Sequence, residues 1–251
     1  MIALDGRTAL VTGGSRGIGR AVAVMLARAG ADVAIGYRSR ADAAEAVAGE
    51  IRALGRRAVA AGGDLADPAA ADRMAAEVAK AFGRLDIFVA NAGVWPPDEV
   101  PLGRLPSERW RATMAANLDA VFFSTRAALG LMGPGGRVVL VSSTAGQRGE
   151  AGHADYAATK GALIALTKSL AVEYAPGILV NCVAPGWVDT DMAAPAYRDG
   201  EKARIAGTIP LRRIPSAEQI AGPIVFLCSD LASHVTGEVL NVNGGSVLCG
   251  W

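Results

Sequence analysis

The sequence predicts an α/β protein built on a doubly wound parallel sheet of seven strands, with helices on both faces. Short runs rich in β-branched residues alternate along the chain with longer Ala-rich stretches of helical period. Parallel neighbours need crossover connections, and these connections place helices on both faces of the sheet. No linker, composition shift or internal repeat divides the 251 residues, so we expect a single domain over residues 1–251.

The first unit is a strand at 8–12 followed by a helix at 17–29, where Ile18, Val22 and Met25 share one face. The same patterns place strands at 33–37, 58–61, 85–90, 137–142, 179–183 and 239–242, and helices at 41–54, 68–82, 107–131, 155–174 and 217–229. The longest stretch without a clear period is 184–215, and a loop of that length is usually functional. We expect a mobile lid over a site at about 187–215; the alternative is a plain surface excursion.

Positive and negative charges almost balance, with 25 Lys and Arg against 24 Asp and Glu, and neither sign forms a long block. A small molecule is therefore the expected partner, rather than nucleic acid or a membrane. No apolar run approaches the roughly 18 residues of a membrane span, and the first residues lack the pattern of a signal peptide. These features predict a cytoplasmic protein.

Metal and disulfide chemistry have little support in the composition. Cys182, Cys228 and Cys249 show no C-x-x-C spacing, and only His153 and His234 are available as imidazole ligands. We expect no metal site, and cysteines that pack as small hydrophobic residues. The motifs of serine hydrolases and of P-loop nucleotide triphosphatases are also missing from the sequence.

Residues 12–19 read TGGSRGIG and join the first strand to the first helix. Glycines at such a turn let backbone N–H groups approach an anion at the positive end of a helix, which suits a pyrophosphate. The spacing of Gly13, Gly17 and Gly19 is not the usual G-x-G-x-x-G, so a structural turn remains an alternative on this feature alone.

The end of the second strand bears on the choice of dinucleotide. NAD binding uses an acidic residue there, whereas NADP needs cationic partners for its 2′-phosphate. Residues 35–40 read IGYRSR, with no acid, and Arg16 sits inside the glycine turn. Because Arg38 and Arg16 can bind a phosphate through charge-assisted hydrogen bonds, we predict NADP(H). The alternative is that Arg38 only begins a solvated helix.

The chain resembles the short-chain dehydrogenase/reductase family from about residue 8 to 245. Its glycine turn has the family form T-G-x-x-x-G-x-G, and four further motifs follow in order: Asp64-Leu65, Asn91-Ala92-Gly93, Ser143 with Tyr156-Ala157-Ala158-Thr159-Lys160, and Pro185-Gly186. Within the family it is most similar to 3-oxoacyl-[acyl-carrier-protein] reductases and related NADP-dependent ketone reductases. The resemblance implies a Rossmann fold and, as in most of the family, a homotetramer.

Tyr156 and Lys160 lie four residues apart on a predicted helix, so both project from one face. A cation near a phenol favours the phenolate, so we expect Lys160 to lower the pKa of Tyr156. Ser143 ends the fifth strand. Its neighbour Ser142 must point to the opposite face, and the motif register selects Ser143 for the site.

The resemblance implies roles for four catalytic residues in hydride transfer between a nicotinamide and a carbonyl carbon. Tyr156 gives the proton, Ser143 holds the substrate oxygen, Lys160 tunes Tyr156 and binds the ribose, and Asn117 joins a water-linked proton relay. The expected cofactor-binding residues are Gly13, Ser15, Arg16, Gly17, Ile18, Gly19, Tyr37, Arg38, Ser39, Asp64, Leu65, Asn91, Ala92, Gly93, Tyr156, Lys160, Pro185, Gly186, Val188 and Thr190.

By motif register, Trp95, Trp187, Met192 and His153 surround the substrate opening, together with Ser143 and Tyr156. His153 either contacts the substrate or simply caps or packs. Three functions remain open: a ketone or 3-oxoacyl reductase, an alcohol or sugar dehydrogenase with the same centre, and a noncatalytic NADP sensor. The apolar tail at 247–251 is expected near a neighbouring subunit's pocket.

Overall fold

A computed structural model describes residues 2–248 of the chain. In this part of the chain, seven parallel strands form one sheet of order β3-β2-β1-β4-β5-β6-β7. The strands are β1 (Thr8–Thr12), β2 (Asp32–Tyr37), β3 (Ala58–Gly62), β4 (Leu85–Ala90), β5 (Met132–Val141), β6 (Ile178–Pro185) and β7 (Val239–Val242). The prediction of a seven-stranded parallel sheet is confirmed.

Helices cover both faces of the sheet. They are α1 (Gly17–Arg28), α2 (Ala41–Ala53), α3 (Pro68–Phe82), α4 (Ser107–Met114), α5 (Ala120–Leu129), α6 (Thr144–Arg148), α7 (Ala154–Tyr174), α8 (Glu201–Thr208) and α9 (Ala217–Leu227). One apolar cluster includes Leu26 of α1 and Ile224 of α9, and a second on the other face includes Met74 of α3 and Leu163 of α7. No helix within residues 2–248 is both long enough and apolar enough to cross a membrane.

The central strands are buried along their whole length, as parallel strands covered on both faces must be. β1 pairs with β2 on one side and with β4 on the other, so the strand order reverses at β1. Ligands of open α/β sheets bind beyond the carboxyl ends of the strands at such a reversal. The fold therefore places the ends of β1 and β4 beside a binding crevice.

The helix expected at 107–131 is interrupted. A π-helical turn at Ala115–Asp119 separates α4 from α5, and it carries the fully buried Asn117. Such turns are rare and are often found at functional sites. An apolar period alone could not reveal the turn, because the residues on both sides of it keep their helical pattern.

The loop expected at 187–215 is partly helical. A 3₁₀ turn at Ala194–Gly200 leads into α8, in which only Ile205 is buried. With one buried side chain, α8 has no apolar period to detect. The five-residue α6 was also not predicted, because it is shorter than the window in which a period can be recognised.

Candidate active site

The connection from β1 to α1 is a glycine turn with two residues in the left-handed region, Gly13 at φ +64° and Gly17 at φ +53°. A Cβ on Gly13 would lie 3.0 Å from the Ala92 Cα, and a Cβ on Gly19 would overlap the Gly13 carbonyl oxygen. The glycines therefore let the start of α1 pack against the ends of β1 and β4. Gly19 allows this packing but does not line the cleft described below. The other turn residues expected to bind the cofactor do line that cleft.

Asn91 and Thr12 tie the ends of β4 and β1 together. The Asn91 side-chain amide donates to the Thr12 carbonyl at 3.0 Å, and the Thr12 hydroxyl accepts from the backbone N–H groups of Asn91 and Ala92 at 3.1 Å each. Thr12 was assigned no role from the sequence, although it is the first residue of the glycine motif and this position indicated that it belongs to the site. Its hydroxyl holds the Asn91-Ala92-Gly93 segment at the crevice.

Gly19→Ala is expected to lower the free energy of unfolding by about 1–3 kcal/mol, because the new methyl group must push the turn away from α1. NADPH binding should weaken with it. Urea unfolding and NADPH titration measure both effects. Gly49→Ala is the matched control: Gly49 lies in α2, a Cβ added there would meet nothing within 4 Å, and alanine should stabilise by about 0.5–1 kcal/mol. Equal behaviour of the two variants would contradict the packing role of Gly19.

A cleft opens beside the glycine turn. Its walls contain most of the residues expected to hold the nucleotide: Gly13, Ser15, Arg16, Gly17, Ile18, Tyr37, Arg38, Ser39, Asp64, Leu65, Asn91, Ala92, Gly93 and Thr190. Arg38 is exposed at the end of β2, and a nitrogen of Arg16 lies 3.9 Å from the Asp191 carboxylate. Asp64 also accepts from the Ala66 N–H at 3.1 Å and so caps its own turn.

A second cleft continues from the first, and Asn91, Gly93 and Thr190 line both. Its walls hold the expected reaction and substrate residues Ser143, Tyr156, Lys160, Pro185, Gly186, Val188, Trp95, Trp187 and Met192. The fold thus brings together residues from β4, β5, α7 and the end of β6. The two clefts form one continuous groove over the carboxyl ends of the strands.

The two adjacent serines after β5 behave differently. The Ser143 hydroxyl accepts from the Ala145 N–H at 3.1 Å, which caps α6, and it also lowers the pKa of the Tyr156 phenol. The Ser142 hydroxyl donates to the Lys160 carbonyl at 2.7 Å and is 3% exposed. Ser142 therefore anchors α7, while Ser143 is the serine beside the phenol.

Lys160 does not lower the pKa of Tyr156 in this geometry, so that expectation was wrong here. Burial raises the pKa of Tyr156 to about 12, with a smaller opposing effect of the neighbouring Ser143 and a further rise from the Glu150 charge. The Lys160 ammonium lies 5.7 Å from the centre of the Tyr156 ring and donates to the Val141 carbonyl at 2.8 Å. Burial lowers the pKa of Lys160 to about 8. At neutral pH, Tyr156 is protonated and Lys160 is charged.

Lys160→Met is expected to raise the free energy of unfolding at pH 7 by up to about 3 kcal/mol while abolishing activity. The Lys160 pKa falls from 10.5 in the unfolded chain to about 8 in the folded one, and one unit corresponds to about 1.4 kcal/mol. Below pH 8 both states bind the proton, so the folded protein carries the full cost of a buried charge. That cost disappears as the pH rises from about 8 to 10.5.

Chemical denaturation at several pH values measures this effect. Lys168→Met, on the exposed side of the same helix, is the control and should show no such pH-dependent difference. A Lys160→Met variant that is less stable than the parent at pH 7, or a difference that stays constant up to pH 10.5, would contradict the prediction.

Asn117 holds the backbone beyond β4. Its side-chain amide donates to the Val94 carbonyl at 2.9 Å, and its oxygen accepts from the Val94 N–H at 2.7 Å. A Cβ on Gly93 would lie 3.0 Å from this oxygen and 3.5 Å from the Lys160 ammonium. Asn117 is therefore close to Lys160 but lies behind Gly93, and its side chain does not line the groove.

A row of aromatic rings borders the substrate end of the groove. Trp95 stacks on His153 with ring centres 4.9 Å apart, meets Trp187 edge-on at 5.7 Å, and Trp187 contacts Tyr197 at 5.8 Å. His153 is 2% exposed and lies behind Trp95, outside the lining of the groove. Of the two interpretations of His153, the structure therefore supports packing and not substrate contact.

Glu150 is a groove residue that sequence analysis missed. It lines the substrate end, and its carboxylate accepts from the Trp95 indole N–H at 3.3 Å. The residue lies in the loop between α6 and α7, where no period or motif marks it. Only the packing of Trp95 against this loop brings the carboxylate to the groove.

The described cysteines are buried, and the last described residues pack against the end of β7. Cys182 and Cys228 are buried and unpaired with each other, and burial raises their pKa values to about 11 and about 12. The Val247 carbonyl accepts from the side chains of Asn241 and Asn243 at 3.0 and 3.2 Å. Cys249 and the rest of the tail expected at 247–251, beyond Leu248, lie outside the described residues.

Comparison with known proteins identifies the family of this chain. The family model described as enoyl-(acyl carrier protein) reductase matches residues 13–246, which is nearly the whole chain. The chain belongs to the short-chain dehydrogenase/reductase family. Members of this family are oxidoreductases.

Two curated relatives within the short-chain dehydrogenases/reductases differ in substrate. The 3-oxoacyl-[acyl-carrier-protein] reductase of Escherichia coli is 41% identical over 244 residues, covering 96% of this chain and 97% of the relative. The L-rhamnose 1-dehydrogenase (NAD(P)(+)) of a Sphingomonas species is 40% identical over 247 residues, covering 96% of each. A short-chain dehydrogenase from Burkholderia cenocepacia, solved in complex with NADP, has a TM-score of 0.91 and 42% identity, covering 97% of this chain and 98% of the other.

Proposed function

We propose that this protein is an NADP(H)-dependent oxidoreductase that interconverts a carbonyl group and a secondary alcohol. One observation carries the proposal: Ser143, Tyr156 and Lys160 line one end of a groove whose other end holds the glycine turn with Arg16 and Arg38. The reacting groups and the nucleotide-binding groups therefore share one continuous space.

Each side chain at this end of the groove has a separate role in the proposed reaction. The Ser143 hydroxyl and the Tyr156 phenol line the same cleft, and each can donate a hydrogen bond to a substrate oxygen there. Because the pKa of Tyr156 is about 12, the phenol keeps its proton at neutral pH and can donate it to the oxygen of a reduced carbonyl. The bound nicotinamide would supply the hydride. Lys160 provides a charged donor beside the ribose position, and Asn117 positions Val94 next to it.

The groove suits NADP in its charges and its shape. Arg16 and Arg38 offer guanidinium groups for a 2′-phosphate, and β2 ends without an acidic residue. At Gly93 a side chain would crowd Asn117 and Lys160, so glycine keeps this wall of the groove closely packed. The Burkholderia cenocepacia relative, crystallised with NADP, supports the same choice.

Two substrate classes fit this reaction. Likeness to the Escherichia coli enzyme supports reduction of a 3-oxoacyl thioester or a related ketone. Likeness to the Sphingomonas enzyme, and the Glu150 carboxylate at the substrate end, support oxidation of a sugar. A noncatalytic NADP sensor is disfavoured, because it would not need Ser143, Tyr156 and Lys160 together.

NADPH consumption with 3-oxoacyl thioesters, cyclic ketones and quinones, and NADPH formation with sugars, test the proposal. Turnover with at least one of these classes is expected. NADPH binding without turnover of any of them would contradict the oxidoreductase function and favour the sensor.

We also propose a homotetramer, as the family resemblance implies. Apolar side chains on the outer faces of α5 and α7 support it, with Phe122 47% exposed and Val172 82% exposed. Light scattering on the purified protein checks it: a mass of four chains is expected, and a monomer would contradict it.

A further inference from the structure

The substrate end of the groove combines an acid with aromatic walls. Glu150 lines it together with Trp95, Trp187 and Met192, and Ser143 and Tyr156 lie in the same cleft. Placing a carboxylate beside apolar surface raises the free energy of the folded protein unless hydrogen-bond donors replace its lost hydration. The donors that this carboxylate has, and those that it lacks, therefore indicate what the groove is shaped to bind.

One oxygen of Glu150 is held by the protein. The Trp95 indole N–H donates to Oε1 at 3.3 Å, and the His153 Nδ1 lies 3.7 Å from the same oxygen. Stacking of His153 against Trp95 keeps this arrangement in place. No residue within 2–248 donates a hydrogen bond to Oε2, and the Glu150 side chain is 26% exposed. The groove thus contains a fixed carboxylate with one acceptor oxygen open to a ligand.

The neighbouring groups offset only part of the effect of burial on the pKa of this carboxylate. Burial raises the pKa of Glu150, while His153, the Trp95 hydrogen bond and Arg148 act in the opposite direction and Glu99 adds to the rise. The Glu150 charge also raises the pKa of Tyr156, so the carboxylate acts on the reacting phenol. An acyl chain against Glu150 would add to its desolvation and supply no donor. A ligand hydroxyl would supply one.

We propose that Glu150 determines specificity by accepting a hydrogen bond from a substrate hydroxyl group, and that the substrates are polyhydroxylated compounds of the sugar class. The faces of Trp95 and Trp187 suit the C–H surface of such a ligand, while Glu150 selects its hydroxyl group. This inference rests on the proposed oxidoreductase function and identifies its substrate class. A site built to bind a hydroxyl group discriminates strongly against analogues that lack it.

The test compares kcat/KM for L-rhamnose and other aldoses with NADP⁺ against kcat/KM for acetoacetyl-coenzyme A with NADPH. The parent protein should prefer an aldose. Glu150→Met keeps the length of the side chain but removes its charge and acceptors, and should lower the aldose kcat/KM at least about 10-fold, mainly through KM. Its kcat/KM for the thioester should change much less, so the ratio of aldose to thioester kcat/KM should fall about 10-fold. Glu150→Gln keeps an acceptor for Trp95 and should have a smaller effect in the same direction.

Glu99→Gln is the matched control, because Glu99 is exposed, lies near Glu150 and does not line the groove. It should leave both kcat/KM values unchanged. Calorimetric binding of the aldose to the Tyr156→Phe protein with NADP⁺ gives a readout without turnover. Adding Glu150→Met or Glu150→Gln to that protein should weaken aldose binding, and the Gln variant serves if the Met variant does not fold.

Thioester turnover without aldose turnover, or equal losses on both substrates in the Glu150 variants, would overturn this inference and leave the oxidoreductase function intact. Absence of turnover with every carbonyl and alcohol would instead overturn the oxidoreductase function, and the inference with it.

Discussion

Tyr156→Phe is expected to lower kcat by about 100-fold to 10,000-fold, the usual contribution of a positioned general acid. The substitution removes only the phenolic hydroxyl group and keeps the ring near Lys160. NADPH affinity should therefore change little. Steady-state kinetics with the preferred substrate and fluorescence titration with NADPH measure the two quantities separately.

Tyr174→Phe is the matched control, because Tyr174 is the last residue of the same helix, α7, and is 37% exposed. It makes the same chemical change far from Ser143, and both kcat and NADPH affinity should stay at their parent values. Near-normal turnover in Tyr156→Phe would refute the role of Tyr156 as the proton donor. A large loss in both variants would point to a general effect of the substitution on α7.

Arg38→Asp is expected to reverse the nucleotide preference. The parent should have the higher kcat/KM with NADPH. The variant should lose about 10-fold to 100-fold with NADPH, because a charge-assisted hydrogen bond is replaced by a repulsive carboxylate. With NADH its kcat/KM should rise, since an acid at the end of β2 can accept from a ribose 2′-hydroxyl. Kinetics with both nucleotides at a fixed substrate concentration measure the ratio.

Arg104→Asp supplies the control for charge. Arg104 is exposed in a 3₁₀ turn, makes no ion pair with another described residue and does not line the groove. The ratio of NADPH to NADH efficiency should stay as in the parent. A parent protein that is more efficient with NADH would contradict the NADP preference, and an unchanged ratio in Arg38→Asp would remove Arg38 from phosphate binding.

Buried strands were the most predictable part of the fold. β1 and β4 are covered on both faces, so they read as mainly apolar runs, although Asp86 lies within β4. The start of β5 was harder. Its first residues, Met132–Gly136, are rich in glycine and partly exposed, so a strand was expected only from Arg137. Helices with one buried side chain, such as α8, were not detectable by period.

Some features of the site could be predicted from the sequence, and others could not. Motif register brought Ser143, Tyr156 and Lys160 to one groove, because each motif ends a strand or begins a helix at the same edge of the sheet. The pKa of Tyr156 did not follow from its spacing to Lys160. It depends on burial and on the direction of the lysine side chain, which donates to Val141. Spacing on a helix describes neither.

The sequence by itself determined the seven-stranded parallel sheet, the family and the residues at the carboxyl ends of the strands, because apolar period and motif register are local properties of a chain. Only the tertiary structure decided that Asn117 lies in a π-helical turn behind Gly93, that His153 packs behind Trp95, and that Glu150 reaches the groove. Each of these depends on contacts between segments distant in sequence, whose burial, stacking and hydrogen bonds no local pattern encodes.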